Sequence, residues 1–177
     1  LQFYVRVPIV DLPPLVNGLA ALEAEGRSRI KLTPEQLTAS SVNSPYEDER
    51  WLVRTGMTEG YWHVRTPRGE DLVWLRVDLK LAQTVGLLRI LPRRGQVSQL
   101  WRDDAATLEW SDDGEIWVPF ARLALDRAML EDDWVGFVLP DSDPHRYYRL
   151  AVTDPQFFAI ARLELYEGSD PIPQGES

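Results

Sequence analysis

The stretch Ser111-Asp112-Asp113-Gly114-Glu115-Ile116-Trp117 decides the fold class. It joins two runs in which apolar and polar residues alternate, residues 106–110 and 116–120, and Glu109 points outward in the first of them. Gly114 adopts positive φ at no steric cost, and aspartate side chains bond back to the backbone of a tight turn. We therefore predict a β-hairpin in mid-chain, which favours an antiparallel architecture.

The same alternation recurs along most of the chain. It is clearest over residues 72–81, where Val73, Leu75 and Val77 share one face. Turn signals such as Pro67-Arg68-Gly69 separate the runs. Short strands with this punctuation predict an all-β, antiparallel jelly-roll β-sandwich. The predicted strands are 38–41, 62–66, 72–81, 84–91, 106–110, 116–120, 134–139, 145–152 and 158–166.

The first 36 residues have a mixed pattern. Residues 1–7 alternate as a strand does, whereas leucines at helical spacing predict a helix over 15–24, and 27–32 reads as a short strand. Thr33-Pro34-Glu35-Gln36 is a capping-box pattern with proline at the first helical position. We predict a strand-helix extension over 1–36, a sandwich over 37–166, and a flexible tail or linker over 167–177.

Composition narrows the function classes. The chain has 177 residues, 44% hydrophobic and 27% charged, a net charge of -9 and no cysteine. An acidic surface opposes nucleic-acid binding, and the absence of cysteine excludes disulfides and thiolate chemistry. Neither a signal peptide nor an apolar run of membrane-spanning length is visible. The mixed N-terminus and proline-containing tail are what we expect of a piece of a longer chain.

No residue pattern predicts catalysis or a cofactor. Asp103-Asp104 and Asp112-Asp113 are adjacent acids on turns, whereas a glycosidase needs two carboxyls facing each other across about 5–10 Å. His63 and His145 lack metal-ligand spacing. No phosphate loop or nucleophile elbow is present. We predict no catalytic residue and no metal, and a hydrolase using acids such as Glu47 and Asp103 is the rival reading.

Aromatic residues in loops are the stronger functional signal. Trp51 and Trp101 lie in or near polar loops, and Phe157 follows an Asp-Pro turn. Exposed aromatic rings stack on sugar rings, and nearby arginines bond sugar hydroxyls. The alternative is that these rings cap the ends of the sandwich.

The order of the local motifs resembles the discoidin family, the coagulation-factor C-type domain, which is similar to family 32 carbohydrate-binding modules. The resemblance implies a galactose-binding-like jelly roll with ligand loops at one end, no enzymatic activity, and an extracytoplasmic accessory domain. The matching stretches are 37–41, Gly60-Tyr61-Trp62-His63, 73–79, 84–90, 111–117, 146–150 and 160–166.

The resemblance also implies a calcium site, and this sequence departs from it. Family members often bind a structural calcium. Its ligands typically include an Asp shortly before the Trp that begins a strand, here Trp62, and a Glu near the start of the last strand. Those positions hold Thr55 and Arg162 here. A hard divalent ion needs several oxygen ligands, usually including carboxylates. We therefore expect the calcium site to be lost.

The resemblance places the ligand loops at 44–49, 65–69, 93–103 and 154–158. Their arginines form a basic patch in an acidic protein, which suits an anionic glycan or an acidic partner surface. We predict a non-catalytic module for a glycan or other cell-surface ligand; the alternative is a structural or docking domain of a membrane or surface complex. The candidate ligand residues are Tyr46, Arg65, Arg68, Arg93, Arg94, Trp101, Arg102 and Phe157.

Overall fold

The computed structural model describes most of the chain, and strands are the main secondary structure of the described part. The described residues are 11–18, 26–42, 44–54, 60–64, 72–93, 105–126, 134–140, 142–153 and 159–168. Their strands are β1 (Pro14–Val16), β2 (Leu37–Ala39), β3 (Trp62–His63), β4 (Leu72–Gln83), β5 (Val85–Pro92), β6 (Ala106–Ser111), β7 (Val118–Ala124), β8 (Val135–Val138), β9 (His145–Thr153) and β10 (Ala159–Glu167).

The strands form two sheets that pack face to face. One has six strands in the order β1-β7-β6-β9-β4-β2, and the other has four in the order β3-β10-β5-β8. Paired strands are antiparallel except β1 and β7. Two short 3₁₀ helices, Pro34–Gln36 and Glu49–Val53, lie between strands. In the described part of the chain, no helix is long and apolar enough to cross a membrane. The predicted all-β antiparallel sandwich is confirmed.

The core lies between the inward faces of the two sheets. On β4, buried residues alternate with half-buried ones, as the sequence predicted, and Val73, Leu75 and Val77 face inward. Ile90 of β5 and Ile160 of β10 are fully buried in the same cluster. Removing this apolar surface from water drives the two sheets together.

The predicted hairpin is confirmed at 106–124. Strands β6 and β7 pair antiparallel, and Gly114 has a φ of 78°. The Oδ1 atom of Asp113 accepts from the backbone N–H groups of Glu115 and Ile116, at 2.8 and 2.9 Å. These bonds lower the pKa of Asp113. The aspartate at this turn therefore has a structural role, as expected.

A buried ion pair ties the hairpin to β9 on the outer face of the six-stranded sheet. Glu109 lies opposite Arg149 in the register, and its carboxylate accepts from the guanidinium at 2.6 Å. Trp117 covers the pair, with the Arg149 guanidinium 4.3 Å from its ring centroid. Glu109 thus points outward from the core yet is only 3% exposed. Burial raises the pKa of Glu109, and the charge of Arg149 opposes that shift.

The expected helix over 15–24 is wrong where the chain is described. Pro14–Val16 is the strand β1, which pairs parallel with β7. The Asn17 side chain donates through Nδ2 to the Asp126 carbonyl and accepts through Oδ1 from the Asp126 backbone N–H. The free edge of β7 supplies backbone partners that the leucine spacing cannot reveal. Residues 19–25 and the predicted strand at 1–7 lie outside the described residues.

The second half of the predicted extension also joins the sandwich. Arg29 forms an isolated antiparallel bridge with Tyr166 of β10. The strand predicted at 27–32 is therefore reduced to this single bridge. The predicted capping box is present, since the Gln36 side chain accepts from the backbone N–H of Thr33 at 2.9 Å. The division at residue 36 stays a prediction, but the described parts of 11–36 pair with both sheets.

Removing one partner of the buried ion pair should destabilise the protein strongly. In Glu109→Gln, the Arg149 charge remains buried without its counter-charge, and we expect a loss of about 3 kcal/mol in the free energy of unfolding. Urea denaturation monitored by tryptophan fluorescence measures it. Lys80→Ala, which breaks the exposed Lys80–Asp78 pair, is the control and should cost under about 1 kcal/mol. Equal losses in the two variants would contradict the prediction.

Candidate functional site

The described residues that flank the predicted ligand loops lie at one end of the sandwich. The Thr153 N–H donates to the Ala105 carbonyl at 2.9 Å, and the Arg93 N–H donates to the Ala159 carbonyl at 3.2 Å. His63 pairs with Ala159 in the register of β3 and β10. The described residues on either side of the ranges 65–71, 94–104 and 154–158 therefore lie at the same end of the sandwich. The hairpin turn lies at the opposite end.

Tyr46 presents an exposed aromatic ring at this end. The residue is 85% exposed. Its backbone is fixed, because the Trp51 indole N–H donates to the Tyr46 carbonyl at 2.7 Å. Asp48 caps the Glu49–Val53 helix by accepting from the backbone N–H of Arg50 at 2.9 Å. The ring is thus exposed on a braced loop, an arrangement suited to stacking on a flat ligand face.

Glu47, next to Tyr46, is held by two polar partners. Its carboxylate lies 2.9 Å from Nδ1 of His63 and accepts from the Tyr61 hydroxyl at 3.2 Å. The His63 backbone N–H donates to the Glu47 carbonyl at 3.0 Å. An ionised carboxylate only accepts, so this contact is a hydrogen bond in the His63 tautomer that carries a proton on Nδ1. These bonds join the loop around Tyr46 to strand β3.

Arg93 completes a group that we call the loop-end cluster: Tyr46, Glu47, Tyr61, His63 and Arg93. Arg93 follows β5, and its guanidinium lies 4.2 Å from the centroid of the Tyr61 ring. A cation–π contact of this kind holds the guanidinium beside the ring, and a guanidinium carries several N–H donors that can bond polar ligand groups. The cluster therefore combines an exposed ring, fixed donors and an acceptor.

The structure brings together the two predicted ligand residues that it describes. Tyr46 and Arg93 both lie in the loop-end cluster, linked through Glu47 and Tyr61. The other predicted ligand residues lie outside the described residues: Arg65, Arg68, Arg94, Trp101, Arg102 and Phe157. The ligand role of the whole set stays a prediction.

The sequence analysis missed Tyr61 and His63 as site residues. Both flank Trp62, a core residue that is 1% exposed, and the motif was used only as a marker of fold. The signal that could have identified them was the pair of polar aromatic side chains at the start of β3, which follows the predicted ligand loop 44–49 in the sequence. Trp51, in contrast, is a packing residue, since its ring lies against Gly60 and its N–H is bonded.

Within the loop-end cluster, the described residues provide a single carboxylate rather than a facing pair. Glu47 is its only carboxylate, and the neighbouring Asp48 is paired with Arg50 at 2.6 Å. Arg50 lowers the pKa of Asp48 against the opposing effect of burial. Hydrolysis of a glycoside needs a second carboxyl facing the first, one of the two with a raised pKa. Asp103, the other acid of the rival reading, lies outside the described residues.

Arg162 fixes the helix beneath the loop-end cluster. Its Nη1 donates to the backbone carbonyls of Trp51, Gly60 and Ala161, at 3.3, 3.1 and 2.6 Å. Burial lowers the pKa of Arg162. A Cβ on Gly60 would lie 1.9 Å from the Trp51 ring, so this close approach requires glycine. One side chain of β10 thus holds both the Glu49–Val53 helix and the start of β3.

The residues at this position do not fit calcium. A calcium ion would have to bind oxygens next to a guanidinium that already donates to the carbonyls of Trp51 and Gly60. Within the described ranges, no group of three or more His, Cys, Asp or Glu residues could hold a metal ion. Calcium is usually held by about six to eight oxygens, carboxylates among them. Thr55 lies outside the described residues, so the loss of the site stays a prediction.

Calcium should therefore leave the stability of the protein unchanged. We expect the same melting temperature in EDTA and in millimolar calcium. Arg162→Met should lower the free energy of unfolding by about 2 kcal/mol, because bonds from a charged donor to the carbonyls are lost. Differential scanning calorimetry measures both effects. Arg122→Met, on the six-stranded sheet, is the control for loss of a half-buried arginine. A melting temperature that rises with calcium would contradict the prediction.

The two sheets and their strand order define the described part of the chain as a jelly-roll sandwich. No protein-family model matches the chain. No curated protein matches it either. Solved structures of carbohydrate-binding modules do match.

Three of these structures illustrate the likeness. The Clostridium perfringens module CpGH89CBM32-5, in complex with GalNAc-β-1,3-galactose, has a TM-score of 0.62 at 16% identity, covering 78% of this chain and 99% of that one. The family 32 module of Clostridium perfringens NanJ, with galactose, has 0.60 at 16%, covering 80% and 99%. A Streptococcus pneumoniae fucose-binding module has 0.61 at 20%, covering 81% and 98%.

These comparisons confirm the fold that the motif order predicted. The fold of the chain is similar to the jelly roll of family 32 carbohydrate-binding modules. At this level of identity the likeness concerns the fold, and the ligand has to be argued from the residues of this chain.

Proposed function

We propose that the chain is a non-catalytic glycan-binding module that holds a sugar at the loop-end cluster. The observation that carries the proposal is Tyr46, an aromatic ring that is 85% exposed on a loop braced from below. A lone exposed aromatic residue on a rigid loop stabilises a bound sugar without a large ordering cost. Arg93 and Glu47 supply a donor and an acceptor beside it.

Further features of the proposal follow from the fold. Similar structures bind galactose, GalNAc-β-1,3-galactose and fucose, so we place the ligand among terminal sugars of glycans. The predicted ligand residues outside the described part, such as Trp101 and Phe157, are further candidates for contact with the sugar. The module acts as an extracytoplasmic accessory domain beside other domains of a longer chain, and it carries out no chemistry itself.

Loss of the exposed ring should weaken glycan binding. In Tyr46→Ala, we expect affinity for the best ligand on a glycan array to fall about fivefold or more, because stacking on the ring is lost. Isothermal titration calorimetry with that ligand measures the change. Arg93→Met should weaken binding as well, by removing donors while keeping an apolar contact with Tyr61.

Ile116→Ala provides the matched control. Ile116 is 47% exposed on the hairpin turn, at the opposite end of the sandwich, and its truncation should leave affinity unchanged. Melting temperatures of all variants separate loss of binding from loss of folding. A folded protein that binds nothing on the array would contradict the proposal and favour the docking-domain alternative. Turnover of chromogenic glycosides would instead favour the hydrolase.

A further inference from the structure

A second concave surface lies away from the loop-end cluster, on the outer face of the four-stranded sheet. We call it the sheet-face groove. It has a volume of about 870 Å³ and runs over β10 between residues 29–34 and the end of the Glu49–Val53 helix. Ligand sites in proteins commonly enclose about 300–1,000 Å³. The groove is therefore large enough for several sugar residues or a comparable ligand.

The described lining of the groove carries more positive than negative side chains. Among the described residues it includes Arg29, Lys31, Arg54 and Arg162, against one carboxylate, Glu164. Glu164 is already paired with Arg29 at 2.9 Å and with Arg89 at 2.7 Å.

Two of these cations, Lys31 and Arg54, are exposed and form no salt bridge in the described part of the chain. The charge of Arg54 contributes to the lowered pKa of Asp48, which lies outside the groove lining. The Arg54 guanidinium lies 4.7 Å from the Trp51 ring centroid, which directs it along the groove wall. Cations held at fixed positions around a concavity favour an anionic ligand.

The remaining wall of the groove includes an aromatic side chain. Trp134 lines the groove, and the Arg89 guanidinium lies 4.4 Å from its ring centroid. An aromatic wall beside cations suits the rings and acidic groups of a saccharide.

We propose that the sheet-face groove is a second binding site, for an acidic oligosaccharide. Carboxylate or sulfate groups pair with Lys31 and Arg54, and a ring packs beside Trp134. The site is separate from the loop-end cluster and does not depend on it. The Glu49–Val53 helix lies between the two surfaces, with Trp51 serving one and Arg54 the other.

Titration calorimetry with three tetrasaccharides tests the proposal: one from heparin, one of galacturonic acid, and neutral cellotetraose. We expect the acidic probes to bind and cellotetraose to bind much more weakly. Binding of the heparin probe alone identifies sulfate as the recognised group, and binding of both identifies any acidic group. Added sodium chloride should weaken binding by screening the charges.

Variants locate the site. Lys31→Glu should weaken binding of the acidic probe about fivefold or more, the scale of one exposed ion pair or above. Lys80→Glu makes the same charge change on the six-stranded sheet and should have little effect. Arg54→Gln should weaken binding without reversing a charge. Melting temperatures confirm that the variants are folded.

Three outcomes would overturn the proposal. One is that no acidic probe binds; another is that Lys31→Glu and Lys80→Glu weaken binding equally, which would reflect net charge alone. The third is that Tyr46→Ala abolishes binding while Lys31→Glu leaves it intact, which would place the acidic ligand at the loop-end cluster. Failure of neutral glycans to bind would contradict only the loop-end proposal, so the two fail separately.

Discussion

The contact between the Arg162 guanidinium and backbone carbonyls organises the end of the sandwich where the candidate site lies. Arg162 belongs to β10, so its position is set by the sheet, and it donates to Trp51 and Gly60. Trp51 then packs on Gly60 and bonds the Tyr46 carbonyl. A rigid strand is thereby connected through one side chain to the loop that presents Tyr46. Sites built on such supports keep their geometry without a ligand.

A side-chain cation and a metal ion brace a loop in different ways. A metal ion leaves when its free concentration falls, whereas Arg162 is part of the chain and its charge persists at all ordinary pH values. The guanidinium is also planar and donates in fixed directions, so it suits a few carbonyls rather than a full oxygen shell. The cost is burial of a charge, seen in the lowered pKa of Arg162. Hydrogen bonds from Arg162 to the backbone carbonyls offset that cost.

Local pattern predicts the sheets well and their non-local contacts poorly. Alternation on β4 correctly separates the buried Val73 face from the half-buried Trp74 face, because burial there depends only on the side of one strand. Glu109 was correctly placed on the outer face, yet it is buried, since Trp117 folds over it from beyond the turn. A register shift between Leu108 and Glu109 accompanies this arrangement. Strand β1 was missed because its partner β7 lies about a hundred residues away.

The candidate site shows the same division between local and assembled features. Exposed Tyr46 and half-buried Arg93 could be identified from loop position and residue type. The contacts of Glu47 with Tyr61 and His63, in contrast, arise only when β3 meets the loop around residue 46. The Glu49–Val53 helix separates this site from the sheet-face groove and contributes to both. Arg162 and Gly60 hold that helix against the sheet, so a ligand on one side has little freedom to displace it toward the other. Binding at one surface should therefore leave the affinity of the other nearly unchanged. A saccharide long enough to reach both would gain affinity from the proximity of the two surfaces, rather than from a conformational change of the protein.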